Sequence, residues 1–288
     1  MVKNYRFAGV ELTVEAPAQI MYQDERTLEP FLVDEVKDPH HFVFSVVDNL
    51  SQPTGKHVAT TENFMIYWDQ ECRLRYTGVR RNDWKTATVR AKHEGKKHFV
   101  ELRSDVYGQG MSAKTALNSA EVEHLVIQAD GVVFHSSCID VDGSSVLFTA
   151  PSGTGKSTQA ALWEKLRNSA IINGDRNVIR CTDGGILSDC IPFAGSSQIC
   201  KNRTLPLAAI VYLEQSPQTT IRRLRGADAF RSVWEGISVN TWDPEDLSKA
   251  MDVVRQVVLN VPVYHLCCTP DESSVIALEK VLRKRASS

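Results

Sequence analysis

Short segments of alternating apolar and polar residues dominate the first hundred positions of this chain. A period of two is typical of strands that bury one face. Breakers such as Gln52-Pro53-Thr54-Gly55 separate the segments. The clearest alternating segments are 11–14, 41–47, 63–68 and 97–102. The pattern predicts a mostly β domain at residues 1–112.

The pattern changes along the polar, glycine-bearing stretch 107–118, which we interpret as the domain boundary. Beyond it, strand-like runs 132–141 and 144–149 flank Asp142-Gly143, and Asp-Gly suits a two-residue hairpin turn. The remaining predicted elements are a helix at 119–129, a helix at 158–167, a short strand at 170–172 and a buried central strand at 207–213. The fold class predicted is therefore mixed α/β, with a second domain at residues 113–288.

Composition and charge exclude several classes of protein. Hydrophobic residues make up 42% and charged residues 24% of the 288 positions, which is typical of a soluble globular protein. A formal net charge of -2 gives no broad positive field, so we predict no nucleic-acid partner. The sequence shows no membrane-length apolar run and no secretory signal, so we expect no membrane association and a cytoplasmic location. The seven cysteines are scattered without a Cys-x-x-Cys pair, which indicates reduced thiols rather than a disulfide framework or a zinc knuckle.

The segment APSGTGKST at residues 150–158 has the pattern of a phosphate-binding loop, or Walker A motif. Gly153 and Gly155 let successive backbone N–H groups turn toward phosphates, and the helix that follows adds its positive end. Lys156 can reach the β- and γ-phosphates, while the Ser157 hydroxyl can bind Mg²⁺. The predicted nucleotide-binding residues are Ser152, Gly153, Thr154, Gly155, Lys156, Ser157 and Thr158.

Hairpin register brings a histidine to this loop. With Asp142 and Gly143 as the turn residues, His135 falls opposite Ala150, at the mouth of the loop. A histidine there can tune a base or contact a γ-phosphate. A purely structural role in the strand is the alternative.

Asp175 follows Lys156 by 19 residues, at the end of the next predicted strand. Its carboxylate can hold Mg²⁺ or accept the proton of an attacking hydroxyl, or it can simply cap the turn at Gly174. Lys201 and Arg203 are candidate cations for the charge that develops on a transferred phosphoryl group. Exposed loop charges are the alternative for both.

Together, the histidine strand, the hairpin, the SGTGKST loop and the aspartate resemble the HPr kinase/phosphorylase and phosphoenolpyruvate carboxykinase group. The segments GSSQICKN at 195–202 and PLAAIVYLE at 206–214 are similar to kinase-like members of that group. The resemblance covers residues 120–285. It implies a P-loop kinase domain in which a nucleotide and a divalent metal lie on the loop, Asp175 is base and metal ligand, and His135 assists Asp175.

Two departures from the group's pattern narrow the expected acceptor and the expected reaction. This chain has Asp175-Arg176 where the group commonly has two adjacent aspartates, and it lacks the glycine-rich signature with which true HPr kinases recognise their carrier protein. Both departures point away from HPr as the acceptor and away from carboxykinase chemistry.

We therefore expect an ATP-dependent kinase that uses ATP and Mg²⁺. The phosphoryl acceptor would be a hydroxyl of a small molecule or of a serine in a peptide or protein, selected by the N-terminal domain. The predicted catalytic residues are Asp175, His135 and Arg203, and the predicted metal ligands are Ser157 and Asp175. Members of the group often assemble, so a homo-oligomer is a further expectation. The alternative is a nucleotide-binding regulatory or scaffold protein that transfers no phosphate.

Overall fold

The computed structural model describes residues 1–18, 26–108, 110–193 and 195–286. The chain divides into two compact units, Met1–Leu125 and Val126–Ser288. Each contains a sheet with both parallel and antiparallel strand pairs, which confirms the mixed α/β class. Across the described ranges, no helix has the length and apolarity needed to cross a bilayer.

The described part of the first unit forms a nine-stranded sheet in the order β3-β1-β2-β4-β9-β8-β7-β6-β5. Strands β2, β4 and β9 pair in parallel, and their neighbours pair antiparallel. The strands are β1 (Val2–Phe7), β2 (Val10–Glu15), β3 (Leu32–Val33), β4 (His40–Val47), β5 (Lys56–Thr60), β6 (Phe64–Asp69), β7 (Cys72–Thr77), β8 (Val89–Glu94) and β9 (Lys97–Arg103). Helices α1 (Ser104–Tyr107), α2 (Ala113–Ser119) and α3 (Val122–Gln128) follow.

The division between the units falls within α3, later than the boundary expected after residue 112. Helix α2 is the physical reason, because its Ala116 and Leu117 pack in the same apolar pocket as Tyr5 and Phe42 of the first sheet. The stretch 107–118, which the sequence pattern indicates as the domain boundary, thus contains most of a helix that packs in the first core.

Three histidine side chains in the first unit contact one another in a row, which we call the histidine chain, beside the buried carboxylate of Glu121. His98 contacts His40 at 3.0 Å and His93 at 2.9 Å through ring nitrogens, and His93 lies 3.8 Å from Glu121. Neutral imidazoles suit such a chain, since each has one donor and one acceptor. Burial opposes ionisation of Glu121, but nearby Arg73 and the other cations outweigh it and hold the Glu121 pKa well below its usual range.

The second unit contains a ten-stranded sheet along its described residues. Its strands run in the order β13-β11-β12-β16-β15-β14-β10-β18, and β19 pairs with both β16 and β17. The strands are β10 (Gly131–His135), β11 (Ser137–Val141), β12 (Ser144–Thr149), β13 (Ile171–Asn173), β14 (Arg176–Thr182), β15 (Gly185–Cys190), β16 (Thr204–Gln215), β17 (Thr220–Leu224), β18 (Ile237–Ser238) and β19 (Val263–Cys268). The helices are α4 (Lys156–Arg167), α5 (Gly226–Trp234), α6 (Pro244–Asn260) and α7 (Glu272–Ala286).

Strand β16 joins the two halves of this sheet, which confirms the prediction of a central strand at 207–213. Its first residues pair with β15 antiparallel, whereas its later residues pair with β12 on one side and β19 on the other, both in parallel. The carboxyl ends of β12, β16 and β19 therefore point toward the same edge of the sheet.

The core beside these three strands fixes the helix that begins at the loop. Trp163 of α4 is 2% exposed and packs with Phe148 of β12, Val211 of β16 and Leu266 of β19 in one apolar cluster. Leu278 of α7 completes that cluster. Burying side chains of this size contributes about 1.5–3 kcal/mol each, so α4 is held firmly on this face of the sheet.

The histidine chain predicts acid sensitivity of the first unit. Burial lowers the pKa of His93 to about 4 and that of His98 to about 2, from an ordinary value of 6.5. Below pH 6.5 the unfolded chain binds protons that the folded chain excludes, so stability present at neutral pH is lost as the pH falls toward 4. Each of these histidines removes about 2 kcal/mol between pH 7 and pH 5.

Urea denaturation at pH 7, 6 and 5 measures this loss. His93→Gln removes one of the titrating groups, so its stability should depend less on pH than that of the native chain. The matched control His41→Gln changes an exposed histidine and should retain the native dependence. Equal stability of the native first unit at pH 7 and pH 5 would contradict the prediction.

Candidate nucleotide and phosphoryl-transfer site

Residues 150–155 form the connection between β12 and α4, so the predicted loop leads from a strand into a helix. Gly153 has φ 79° and Gly155 has φ 119°, angles that side chains with a Cβ rarely adopt. A Cβ at either position would meet nothing within 4 Å. These glycines are therefore needed for backbone conformation rather than for space.

Lys156 directs its ammonium group back into the loop. The residue is 8% exposed, and its Nζ donates to the carbonyl oxygens of Ala150 at 2.9 Å and Pro151 at 3.4 Å. Burial lowers the pKa of Lys156, and the nearby Asp175 carboxylate acts in the opposite direction. Ser157 and Thr158, by contrast, are exposed on the first turn of α4.

The structure brings His135 and Asp175 together. Nε2 of His135 lies 3.5 Å from Oδ1 of Asp175, and Nε of Arg176 lies 3.8 Å from Oδ2. The hydrogen bond with His135, followed by the charges of His135, Arg176 and Lys156, holds the pKa of Asp175 below its ordinary value. The carboxylate is thus ionised at neutral pH and lies among positively charged groups.

His135 reaches this position by a route that differs from the hairpin prediction. The β11–β12 ladder has the predicted register from Ser137, opposite Phe148, to Val141. The predicted strand 132–141 is, however, interrupted at Ser136, which separates β10 from β11. His135 ends β10 and pairs with Arg176 of β14, so its predicted pairing with Ala150 is wrong. The hydroxyl of Thr149 nevertheless donates to the carbonyl oxygen of His135 at 3.1 Å, which keeps the histidine beside the end of β12.

Asn173 positions Asp175, a role that the sequence analysis missed. The Asn173 side chain is fully buried, and its Oδ1 accepts from the N–H groups of Asp175 at 2.9 Å and Arg176 at 3.2 Å. Its Nδ2 donates to the carbonyl oxygen of Ile191 at 3.0 Å. An Asn-Gly pair after an apolar strand is a turn signal, and this signal could have identified the residue.

The turn that carries Asp175 lies against a glycine-containing segment that begins at Gly195. A Cβ on Gly195 would come within 2.7 Å of the Cβ of Asp175, and a Cβ on Gly174 would clash with the side chain of Ser197. Backbone contact continues at Lys201, whose N–H donates to the carbonyl oxygen of Ile172 at 2.9 Å. The exposed Lys201 therefore follows a segment that touches the Asp175 turn.

Arg203 is not brought to the other predicted catalytic residues. Its guanidinium lies 2.5 Å from Oδ2 of Asp140, and Asp140 pairs with Ser145 near the turn of the β11–β12 hairpin. Ser145 lies near the start of β12, whereas His135 lies beside the end of that strand, at Thr149. The five residues from Ser145 to Ala150 span about 17 Å of extended strand. Arg176 is instead the arginine beside Asp175, with its guanidinium 5.3 Å from the ring centre of Phe193.

A cleft of about 590 Å³ opens along the loop. Its walls come from the loop, from the carboxyl end of β16 and from the residues after β19, which is where open α/β sheets bind ligands. Nε2 of Gln215 donates to the carbonyl oxygen of Thr154 at 3.3 Å, and Gln159 exchanges hydrogen bonds with Ser274. No sequence motif identifies this wall, because its residues come from strand ends far apart in the chain.

A second group of metal-ligating side chains lies on β16 and β19. Glu214 is 2.8 Å from Nε2 of His265, and Sγ of Cys267 is 3.6 Å from the same nitrogen. Arg222 of β17 pairs with His265 and shares its face of the sheet, so it adds positive charge there. That charge disfavours a cation, whereas Ser157 and Asp175 offer the hard oxygen donors that Mg²⁺ prefers.

Replacing Asn173 tests its role in holding the Asp175 turn. Asn173→Ala leaves the partly buried N–H groups of Asp175 and Arg176 without their acceptor, so we expect a loss of about 1–3 kcal/mol in the free energy of unfolding. The matched control Asn260→Ala removes an exposed amide at the end of α6 and should cost far less. Urea denaturation of both variants measures the difference, and equal losses would refute the positioning role.

Comparison with known proteins shows distant similarity of fold to solved structures. The chain is similar to the Hpr(Ser) kinase/phosphatase from Coxiella burnetii, with 13% sequence identity, coverage of 54% of this chain and 90% of that chain, and a TM-score of 0.33. No protein-family model matches the chain, and no curated protein matches it significantly. The functional argument therefore rests on the residues of the site.

Proposed function

We propose that this protein is an ATP-dependent kinase that transfers the γ-phosphoryl group to a hydroxyl. The observation that carries the proposal is the convergence of Lys156, at the start of α4, with the contact between His135 and Asp175. Lys156 donates to the carbonyl oxygen of Ala150, and the preceding Thr149 donates to the carbonyl oxygen of His135, so both parts lie at the end of β12. The charges of Lys156 and Asp175 also affect each other's pKa. A phosphate-binding lysine beside an ionised carboxylate is an arrangement suited to phosphoryl transfer.

The loop supplies the anion-binding part of the site in this proposal. Its backbone N–H groups and the Lys156 ammonium would bind the phosphates, and the cleft beside Thr154 and Gln215 would take the rest of the nucleotide. Ser157 and Asp175 would hold Mg²⁺, and their oxygen donors fit that ion. When bound, the metal ion neutralises phosphate charge.

Asp175 would orient the acceptor hydroxyl and accept its proton. The low pKa of Asp175 makes it a weak base, so its contribution is chiefly positioning, as expected for loose phosphoryl-transfer transition states. His135 would orient the carboxylate through its 3.5 Å contact. Arg176 is placed to stabilise charge on the transferred group, a role for which Arg203, held by Asp140, is less suited.

The acceptor belongs to one of two classes, a small-molecule alcohol or a serine of a peptide or protein. A nucleotide sensor without phosphoryl transfer is the competing function. The specific observation in its favour is that Asp175 is the single carboxylate at this turn and already contacts both His135 and Arg176.

Phosphoryl transfer from Mg·[γ-³²P]ATP to pools of hydroxyl metabolites and serine peptides tests the proposal. We expect labelled product from the native chain and a fall of about 10²- to 10⁴-fold for Asp175→Asn, because the carboxylate that accepts the proton is lost. The matched control Asp183→Asn changes an exposed residue in the β14–β15 turn and should keep the native rate.

Two outcomes would contradict the proposal, the first its mechanism and the second the kinase assignment. Undiminished product from Asp175→Asn would remove Asp175 from the mechanism. ATP binding without labelled product from any acceptor would favour the sensor.

A further inference from the structure

Two of the free cysteines lie in direct contact beside the candidate site. Cys190 ends β15, Cys200 precedes β16, and their Sγ atoms are 3.3 Å apart. Cys190 is 2% exposed, whereas Cys200 is partly exposed. The pair thus combines a buried thiol with one that solutes can reach.

The pair touches the side chain that holds the Asp175 turn. Nδ2 of Asn173 lies 3.4 Å from Sγ of Cys190 and 4.0 Å from Sγ of Cys200. The backbones of Asn173 and Cys200 also form an isolated β-bridge. A change at either sulfur therefore acts directly on Asn173.

The chain that leads to Cys200 also touches the site. It begins with Gly195, which lies against Asp175, and continues through Ser197, which lies against Gly174. A displacement of Cys200 is transmitted along this short segment to the catalytic turn. Asp175 is thus connected to the cysteine pair through two routes, the Asn173 side chain and the backbone from Gly195 to Cys200.

We propose that Cys190 and Cys200 are a thiol modification site that forms a reversible disulfide by exchange with a low-molecular-weight disulfide. Oxidation of the pair loosens the hold of Asn173 on Asp175. The consequence for phosphoryl transfer rests on the proposed function, whereas the disulfide and the loosened turn do not. Thiol pairs that serve as redox sensors typically form such transient bonds.

The exchange balances in two steps. The hydrogen bond with Cys190 and partial burial raise the pKa of Cys200, so this accessible thiol must first give up its proton. Its thiolate attacks one sulfur of the small disulfide and releases one small thiolate, which takes up that proton. The Cys190 thiolate then attacks Sγ of Cys200 and releases the second small thiolate, so two thiols are oxidised and one disulfide is reduced to two thiols. In the reduced pair, hydrogen bonds from Cys200 and Asn173 lower the pKa of Cys190. The mixed disulfide removes the Cys200 hydrogen bond, and the hydrogen bond from Asn173 favours the second attack.

Bond formation changes the contacts of Asn173. A disulfide has an S–S length of about 2.05 Å, so the two sulfurs must approach each other by about 1.2 Å. The Cys190 sulfur then moves away from the Asn173 amide that donates to it, and Cys200 draws its backbone along. The N–H groups of Asp175 and Arg176, which bond to Asn173, should become easier to open.

Peptide mapping and amide hydrogen exchange of the full chain test the proposal directly. After treatment with oxidised glutathione, we expect a Cys190–Cys200 cross-link and exchange at Asp175 and Arg176 that is faster by about tenfold, the loss of roughly one hydrogen bond. A dithiol reductant should reverse both changes. Cys200→Ser should form no such cross-link and keep slow exchange, while the control Cys181→Ser should respond like the native chain.

Two results would overturn the proposal. One is the absence of the cross-link in native protein at any ratio of oxidised to reduced glutathione. The other is a complete cross-link with unchanged exchange at Asp175 and Arg176. Neither readout needs phosphoryl transfer. If the kinase assignment failed, the cross-link and the faster amide exchange would still be expected, and only an effect of oxidation on phosphoryl transfer would be lost.

Discussion

The candidate site depends on one backbone hydrogen bond, in which the N–H of Ser136 donates to the carbonyl oxygen of Asp175 at 3.0 Å. Two pairs of consecutive strands are interrupted at this level: Ser136 separates β10 from β11, and residues 174–175 separate β13 from β14. Strands β10 and β14 pair on one side of the interruption, and β11 and β13 pair on the other. The side chain of Asn177 reinforces the junction by donating to the carbonyl oxygen of Ser136 at 2.8 Å. The break leaves His135 and Asp175 at adjoining strand ends, where their side chains meet.

Electrostatics at the junction favour a polyanionic ligand. The carboxylate of Asp175 contacts the guanidinium of Arg176 and the ring of His135, and the charge of Lys156 also acts on it. The loop adds backbone N–H groups and the positive end of α4 on the same side. Burial lowers the pKa of Lys156 because its charge is poorly solvated, and a phosphate would relieve that penalty. The same arrangement holds Asp175 ionised, as the proposed role in orienting a hydroxyl requires.

Sequence could predict the parts of the site that local chemistry determines. Loop residues 150–158 were recognisable because glycine spacing, a preceding strand and a following helix are all local, and the Asp142-Gly143 turn set the register of its hairpin correctly. Strand partners could not be predicted from the sequence. The interruption of the strand at Ser136 has no local signal, so the predicted pairing of His135 with Ala150 is wrong. His135 nevertheless lies beside the end of β12. The charge and chain position of Arg203 predict a catalytic cation, but its partner Asp140 is determined by tertiary contact. The boundary between the two units likewise depends on how α2 packs, and composition alone does not specify that packing.

Calorimetric titration of Mg·ATP tests the central claim, that the loop containing Lys156 binds a nucleoside triphosphate. The account predicts saturable binding to the native chain and to Lys165→Ala, which changes an exposed lysine on the same helix. It predicts affinity weaker by at least about tenfold for Lys156→Ala, since a charge-assisted hydrogen bond contributes about 1.5–3 kcal/mol. Circular dichroism should show that both variants remain folded. Equal affinity of Lys156→Ala and the native chain, or no binding by the native chain, would contradict the account.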